Sequence, residues 1–382
     1  MNIYQIPTPT NRIKFLKTLK VHGGGIPIMA KKMELLTFYI KDLKTPAVNI
    51  LKQDALSIGA ELATPSGVIV CEDDKYDCLL IGTRKHIEIL SKKELAQPFG
   101  LKKLAQELQQ FLKVKEHPVK IMGIINANDD SFFSGSRFMA NDAVNQIKTM
   151  IEEGADIIDI GAVSSRPNAD EVSANLELER IKSICDVIKS EKLYEQVSFS
   201  IDSYTPSVIE YALKSGFNLV NDITGASNDE VVKLAVEYGA KLCIMHMQGT
   251  PQTMQKSPYY DDVMVEVSQF FEDRITKCES FGMKREDIIL DVGIGFGKTL
   301  EHNLTLLRNM KHFKKFGCEI LVGASRKSMI DKIISTPTEE RLAGTLAIHL
   351  NVVERGGASL VRCHDVKAHL QALTVWSAIS SI

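Results

Sequence analysis

At 382 residues the chain is too long for one ordinary domain, but it can hold a barrel of about 250 residues plus a smaller companion. Hydrophobic residues make up 44% and charged ones 25%, enough for a sizeable core, and a formal charge of -2 leaves no global field to recruit nucleic acid. The seven cysteines are odd in number and form no C-x-x-C pair, which argues against a disulfide frame or zinc site, and no apolar run approaches the ~20 residues that span a bilayer; a cytoplasmic protein without a membrane partner is expected.

In chain order, no acidic residue precedes Glu34, whereas Arg12, Lys14, Lys17, Lys20, Lys31 and Lys32 are basic. A mobile or partly ordered basic terminus is expected there rather than a transit peptide. Helix-like and strand-like pieces then alternate through SIGAELATPSGVIVC, YDCLLIGT and GLKKLAQELQQFLKV, the last with Leu101, Leu104, Leu108 and Leu112 on one helical face. DDKYDC reads as a solvated turn rather than a metal site. Pro118 marks a boundary, giving a small α/β domain over residues 1–115, of unknown role, and a second domain over residues 116–382.

From about residue 119 one cadence recurs: an apolar run, a polar loop, an amphipathic stretch, a glycine, and the next apolar run. The runs are KIMGIIN, DIIDIGA, SFSIDS, LVNDIT, KLCIMHM, IILDVG, ILVGAS and LVRCHD. Gly154, Gly216, Gly239, Gly282, Gly317 and Gly356 stand where a left-handed helix end wants no Cβ. Eight such units predict a closed (β/α)8 TIM barrel beside the small N-terminal α/β domain. In such a barrel the C-terminal strand ends carry the chemistry. Here they read Asn126, Ser164-Ser165-Arg166, Asp202, Asn221-Asp222, Met245-His246, Asp291, Ser325-Arg326-Lys327-Ser328 and Arg362-His364-Asp365.

Residues 291–299, DVGIGFGKT, invite two familiar readings, and the spelling rejects both. A P-loop needs glycine where Val292 stands, and a dinucleotide fingerprint needs its third glycine at Lys298. Met245, His246 and Met247 are not read as soft-metal ligands, because neighbours on a strand face opposite sides.

Residues 119–382 resemble the dihydropteroate synthases through MGIINANDDSF, SSRP, SIDSYTP, NDITG, MHMQGTPQTMQ, LDVGIGFGKT, GASRKSMI and VRCHDV, one motif per unit and in order. The resemblance implies a transferase of folate biosynthesis that joins 4-aminobenzoate to a dihydropterin methyl diphosphate, is inhibited by sulfonamides and forms a homodimer. DVGIGFGKT is then the wall of a pterin pocket. A pterin edge offers N–H donors and a carbonyl. Asp202 and Asp291 can accept, Asn221 can do both, and Lys327 can donate to the carbonyl side. Gly293, Gly295 and Gly297 let backbone approach a flat ligand, Phe296 forms a wall, and Met245 packs on the ring face.

Arg362 and His364 alternate on the last strand and so point the same way; the resemblance assigns them the diphosphate and assigns Asn126 a magnesium ion. Ser165 and Arg166 match the family's second loop, Asp130, Ser131 and Phe132 its first, and Ser328 is placed for the aminobenzoate carboxylate. A cationic patch is thus expected opposite the carboxylates. The chain departs from the family at Asn128-Asp129, at Ala162-Val163 with Asn168, and at Val292, none of them an assigned group. The weighed alternatives are a corrinoid-dependent pterin methyltransferase, which handles no diphosphate, and a catalytically silent partner protein, which would lose Asn126, Arg362 or His364.

Overall fold

The structure, a computed structural model, describes residues 1–9, 11–114, 117–127, 136–163 and 172–380, the side chains of 136–141 excepted. Spatial grouping divides the chain into Met1–Val114 with Trp376–Ile382, and Lys115–Val375.

The first unit is a small α/β domain. Strands β1 (Leu35–Lys44), β2 (Glu61–Ala63) and β3 (Lys75–Thr83) pair antiparallel in the order β1-β3-β2. β1, which the sequence did not single out, is the longest strand among the described residues. Its burial only half alternates, and its ladder breaks between Ile40 and Leu43, where Asp42 takes φ 52°. Val48, Leu51, Leu80, Ile87, Leu90 and Leu108 fill the core, with Leu104 and Leu112 packed against it. Within SIGAELATPSGVIVC only Glu61–Ala63 is strand, and Ile69 and Val70 stand exposed. The basic terminus is more ordered than expected: Arg12–Thr18 and Ile26–Lys32 are helices, held because Leu16, Ile26 and Ala30 bury one apolar side each.

The second unit is a closed, all-parallel eight-stranded barrel. Its strands are β4 (Lys120–Asn126), β5 (Ile157–Gly161), β6 (Ser198–Asp202), β7 (Leu219–Asp222), β8 (Lys241–Met245), β9 (Ile288–Asp291), β10 (Glu319–Val322) and β11 (Leu360–Cys363), and β11 closes on β4. The eight apolar runs of the sequence are these strands. Local signals start the intervening helices. Pro206 opens Pro206–Lys214, Asp262 accepts from the Met264 and Val265 N–H groups ahead of Val263–Ser280, and Thr299 accepts from the His302 N–H ahead of Leu300–Arg308. The six glycines predicted to end helices all have positive φ, from 64° to 101°. At Gly216 a Cβ would also lie 2.6 Å from the Tyr194 ring. Among the described residues no helix is long and apolar enough to cross a membrane.

Candidate active site

Strand geometry alone builds one rim of the barrel. Met122, Ile157, Leu219, Cys243, Ile289, Leu321 and Leu360 form a single buried layer inside it. Side chains alternate across a strand, so the residue two positions on faces the interior one layer higher. From β5, β7, β8, β9 and β11 those residues are Asp159, Asn221, Met245, Asp291 and Arg362, and β10 runs on to Gly323. Asp202 pairs directly with Asn221, and Met245 with Asp291, at the same height. Asn126 ends β4, beside the strand that carries Arg362.

The charges of this layer are tightly matched. Arg362 Nε donates to Asp159 Oδ2 at 2.6 Å, and its Nη2 donates to Asp202 Oδ2 at 2.7 Å. Asn221 Nδ2 donates to the same Asp159 oxygen at 3.1 Å, while Asp159 Oδ1 is buried without a hydrogen-bond partner. Burial and the neighbouring Asp159, Glu177 and Asp222 carboxylates lift Asp202 above the usual carboxylate range, against the pull of Arg362. Burial also lifts Asp291, opposed by the Gly293 N–H, Lys327, Arg362 and Lys298. Burial works against the Arg362 charge, but Asp159 and Asp202 outweigh it and keep the guanidinium ionised. The expected separation of a carboxylate side from a cationic side is therefore corrected. Arg362 sits among the carboxylates, because one strand separates β11 from β5 and two separate it from β6, which leaves both aspartates within reach inside the barrel, and a buried cation needs such partners.

The DVGIGFGKT loop is folded around backbone contacts that only glycine permits. Gly293 has φ 66°, and a Cβ there would sit 2.0 Å from the His246 carbonyl oxygen; at Gly297 it would sit 2.4 Å from that of Gln248. Asp291 Oδ1 accepts from the Gly293 N–H at 2.8 Å, and Thr299 caps the next helix, so Asp291 is no helix cap. Lys298, which in a P-loop would reach out to phosphate, is only 1% exposed. Its Nζ lies 2.9 Å from His246 Nδ1 and donates to the carbonyl oxygens of Phe296, at 2.9 Å, and His246, at 3.2 Å. It staples this loop to the one after β8. Burial pushes Lys298 down to about 7, and burial with Lys298 pushes His246 down to about 3. His246 is thus a neutral structural imidazole.

Lys327 reaches back over this loop. Its Nζ lies 4.1 Å from the Phe296 ring centroid, and a Cβ on Gly295 would be 3.9 Å from it. Gly323 leaves room beside both Asp291 and Arg362, since a Cβ there would lie 3.9 Å from Asp291 Oδ2 and from Arg362 Cβ. His364 Nδ1 lies 2.9 Å from Ser325 Oγ. Ser328 opens a helix of only six residues, Ser328–Ile333, so anything it offers an anion comes from its hydroxyl and the first-turn N–H groups. Asp222 turns away from the rim: its carboxylate accepts from the Thr224 N–H, the Thr224 hydroxyl and the Ala226 N–H. Ser165, Arg166, Asp130, Ser131 and Phe132 lie outside the described residues.

The sequence reading missed Asp159 and Lys298. Asp159 did carry a signal, as an ionisable residue inside the apolar run Ile157-Ile158-Asp159-Ile160, where a charge survives only if paired. Lys298 looked like part of a phosphate motif, and only the folded loop turns it inward.

The family model described as "Pterin binding enzyme" matches residues 122–364. The bifunctional dihydropteroate synthase/dihydropteroate reductase of Helicobacter pylori is 40% identical over 352 residues, covering 92% of both chains. The dihydropteroate synthase of Escherichia coli K12 is 41% identical over 266 residues, 69% of this chain and 93% of its own. Among solved structures, Yersinia pestis dihydropteroate synthase with a sulfonamide drug aligns with TM-score 0.65 at 35% identity, over 70% of this chain and 95% of that one. The Xanthomonas albilineans enzyme with 4-aminobenzoic acid aligns with TM-score 0.64 at 33% identity, over 70% and 94%.

Proposed function

We infer the function from a premise the comparisons establish: the chain belongs to the pterin-binding enzymes and, within them, to the dihydropteroate synthases. It is a transferase of folate biosynthesis that joins 4-aminobenzoate to (7,8-dihydropterin-6-yl)methyl diphosphate and releases diphosphate. The observation that carries the reading for this chain is the set Asp159, Asp202, Asp291, Asn221, Lys327 and Arg362 at one barrel mouth, beside Phe296 and Gly295.

The assignment of roles is our own. Asp202 and Asp291 accept the pterin's N–H groups, Asn221 serves both donor and acceptor edges, Lys327 donates to the ring carbonyl, and Met245 and Phe296 bound its faces. The bond between the pterin methylene and the diphosphate oxygen breaks with its electron pair leaving on oxygen. The amine nitrogen then bonds to the methylene carbon and loses a proton. No protein nucleophile takes part, and the chain contributes position and field. The carboxylates favour positive charge on the ring, while His364 and the Arg362 N–H groups not spent on Asp159 and Asp202 face the departing anion. Ser165, Arg166 and Ser328 are assigned to the aminobenzoate side.

The chemistry of the donor set supports magnesium. Asn126 offers a hard carboxamide oxygen, and no cluster of three His, Cys, Asp or Glu among the described residues competes for a cation. A single protein ligand suits an ion that keeps its waters and takes phosphate oxygens; when bound it would neutralise charge building on the diphosphate. We place the enzyme in the cytoplasm as a homodimer, a state supported by exposed Val375 and Ile379 on the helix Val366–Ser380 and tested by light scattering.

Purified protein given Mg2+, the pterin diphosphate and 4-aminobenzoate forms dihydropteroate and diphosphate, and a sulfonamide competes with 4-aminobenzoate. No turnover from folded protein would move the reading to a silent partner protein. One observation favours a second activity. The Helicobacter relative is aligned over 352 residues, against 266 for the Escherichia coli synthase. That relative is named a reductase as well. We therefore propose that residues 1–114 add reduction of the product's C=N bond, with a hydride from a reduced nicotinamide or flavin going to carbon and a proton from solvent to nitrogen. Dihydropteroate left unchanged by the full chain with either donor would rule this out.

A further inference from the structure

Arg326 stands in the left-handed region at φ 54°, a conformation that side chains with a Cβ rarely adopt. Everything around it holds it there. Its N–H donates to Thr345 Oγ1 at 2.9 Å, and its carbonyl accepts from Arg341 Nη1 at 3.2 Å. Its guanidinium grips Asp365 with two bonds, Nε to Oδ2 at 3.1 Å and Nη2 to Oδ1 at 2.7 Å. Arg341, Thr345 and His349 are spaced by four along the helix Leu342–Glu354 and its cap, so they form one stripe facing the loop after β10.

His349 continues that stripe into a relay. The Ala324 N–H donates to His349 Nε2 at 3.2 Å, so this nitrogen is the acceptor and the proton sits on Nδ1. His349 Nδ1 lies 2.9 Å from His369 Nε2, and His369 Nδ1 lies 2.7 Å from the Asp365 carbonyl oxygen. One assignment of protons satisfies all three contacts: both rings neutral, each with its proton on Nδ1. Burial supports it, pushing His349 down to about 3 and lowering His369. Both imidazoles are buried. A third tie, Ser325 Oγ to His364, joins the same two loops.

We propose that Arg326, Asp365, His349 and His369 are positioning residues for the transfer reaction. They clamp the loops after β10 and β11 into one body, so that Lys327 and Ser328 keep their place relative to Arg362 and His364 while the pterin–diphosphate bond breaks. The inference rests on the functional reading above and adds residues that touch no substrate themselves. A purely structural role would move stability alone, whereas a clamp moves substrate constants as well.

The test uses the full chain with His349→Phe, His349→Gln and Asp365→Asn. His349→Phe and Asp365→Asn should each lower kcat/KM by about tenfold or more, with KM for the pterin diphosphate and for 4-aminobenzoate rising together. His349→Gln, whose amide can accept from Ala324 and donate onward, should recover to within about threefold. Hydrogen exchange at residues 323–328 should speed up in His349→Phe and return in His349→Gln. If both losses lower only the melting temperature and leave kcat and both KM values within about twofold, the proposal is overturned. Should His349→Phe fail to fold, Asp365→Asn, which keeps the side chain's shape, decides. If the wild-type chain releases no diphosphate, the functional reading falls instead. The exchange experiment then still judges the clamp, and unchanged exchange would end it.

Discussion

Asp291 and His364 show how the same barrel mouth asks different things of single side chains. Asp291 is buried, carries a raised pKa and has Lys327 and Arg362 as counter-charges. Replacing it with alanine leaves those cations short of a partner as well as the pterin short of an acceptor. Asp291→Ala should therefore weaken pterin binding by about 3–5 kcal/mol, about a hundredfold or more, in a calorimetric titration. His364→Ala should leave binding of the bare pterin alone and raise KM for its diphosphate by about tenfold; matching profiles for the two variants would refute the division of roles. Lys298 makes a second, pH-dependent case. Its folded pKa, about 7, lies below the ordinary 10.5, so the unfolded chain binds more protons between these values. Its contribution to stability is present above 10.5 and is lost as pH falls through about 7. Between pH 7 and 9 wild-type stability should rise by about 2 kcal/mol from this group, and Lys298→Met should lack that increment in urea melts. At pH 7 the same variant leaves two carbonyls and an imidazole without their donor, a loss of about 1–3 kcal/mol.

At the scale of elements, the loop after β9 is held from several sides. Gln255 and Tyr260 donate to the carbonyls of Gly295 and Gly297, Asn303 accepts from the Gly295 N–H, and Lys298 binds the Phe296 carbonyl. A loop so pinned shifts to absorb a new atom only by breaking these bonds. Gly293→Ala would place a methyl group 2.0 Å from the His246 carbonyl oxygen at a φ of 66°, so both sterics and backbone oppose it. It should cost about 3 kcal/mol or more in stability, or else displace the loop and abolish pterin binding. A thermal melt read together with a pterin titration separates these outcomes, and a variant that melts and binds like wild type would contradict the packing described. Ser328–Ile333, by contrast, is too short to act as a helix in its own right, and the clamp through Arg326 is what fixes its first turn.

Across the whole molecule, the two units carry separate reporters. The chain has one tryptophan, Trp376, and it groups with residues 1–114 rather than with the barrel. Tryptophan emission should therefore follow the small unit during denaturation, while loss of synthase activity follows the barrel. The two urea transitions should not coincide, because two-state behaviour belongs to single domains. Coincident curves would mean that the units unfold as one.

The barrel itself was legible in the amino-acid order, because strand-length apolar runs, intervening amphipathic stretches and helix-ending glycines are local signals. So were Asp202, Asn221, Asp291, Lys327 and Arg362 as rim residues, since strand ends and a period of two need no knowledge of what lies opposite. What sequence could not assign is who pairs with whom. Arg362 meets Asp159 across 203 positions of chain and Asp202 across 160, and Lys298 turns inward to residues after a different strand. The His349–His369 relay likewise depends on two helices closing over two loops. Such pairings follow from barrel closure, which brings distant segments within hydrogen-bond range and makes every buried charge find a partner; no local pattern encodes that.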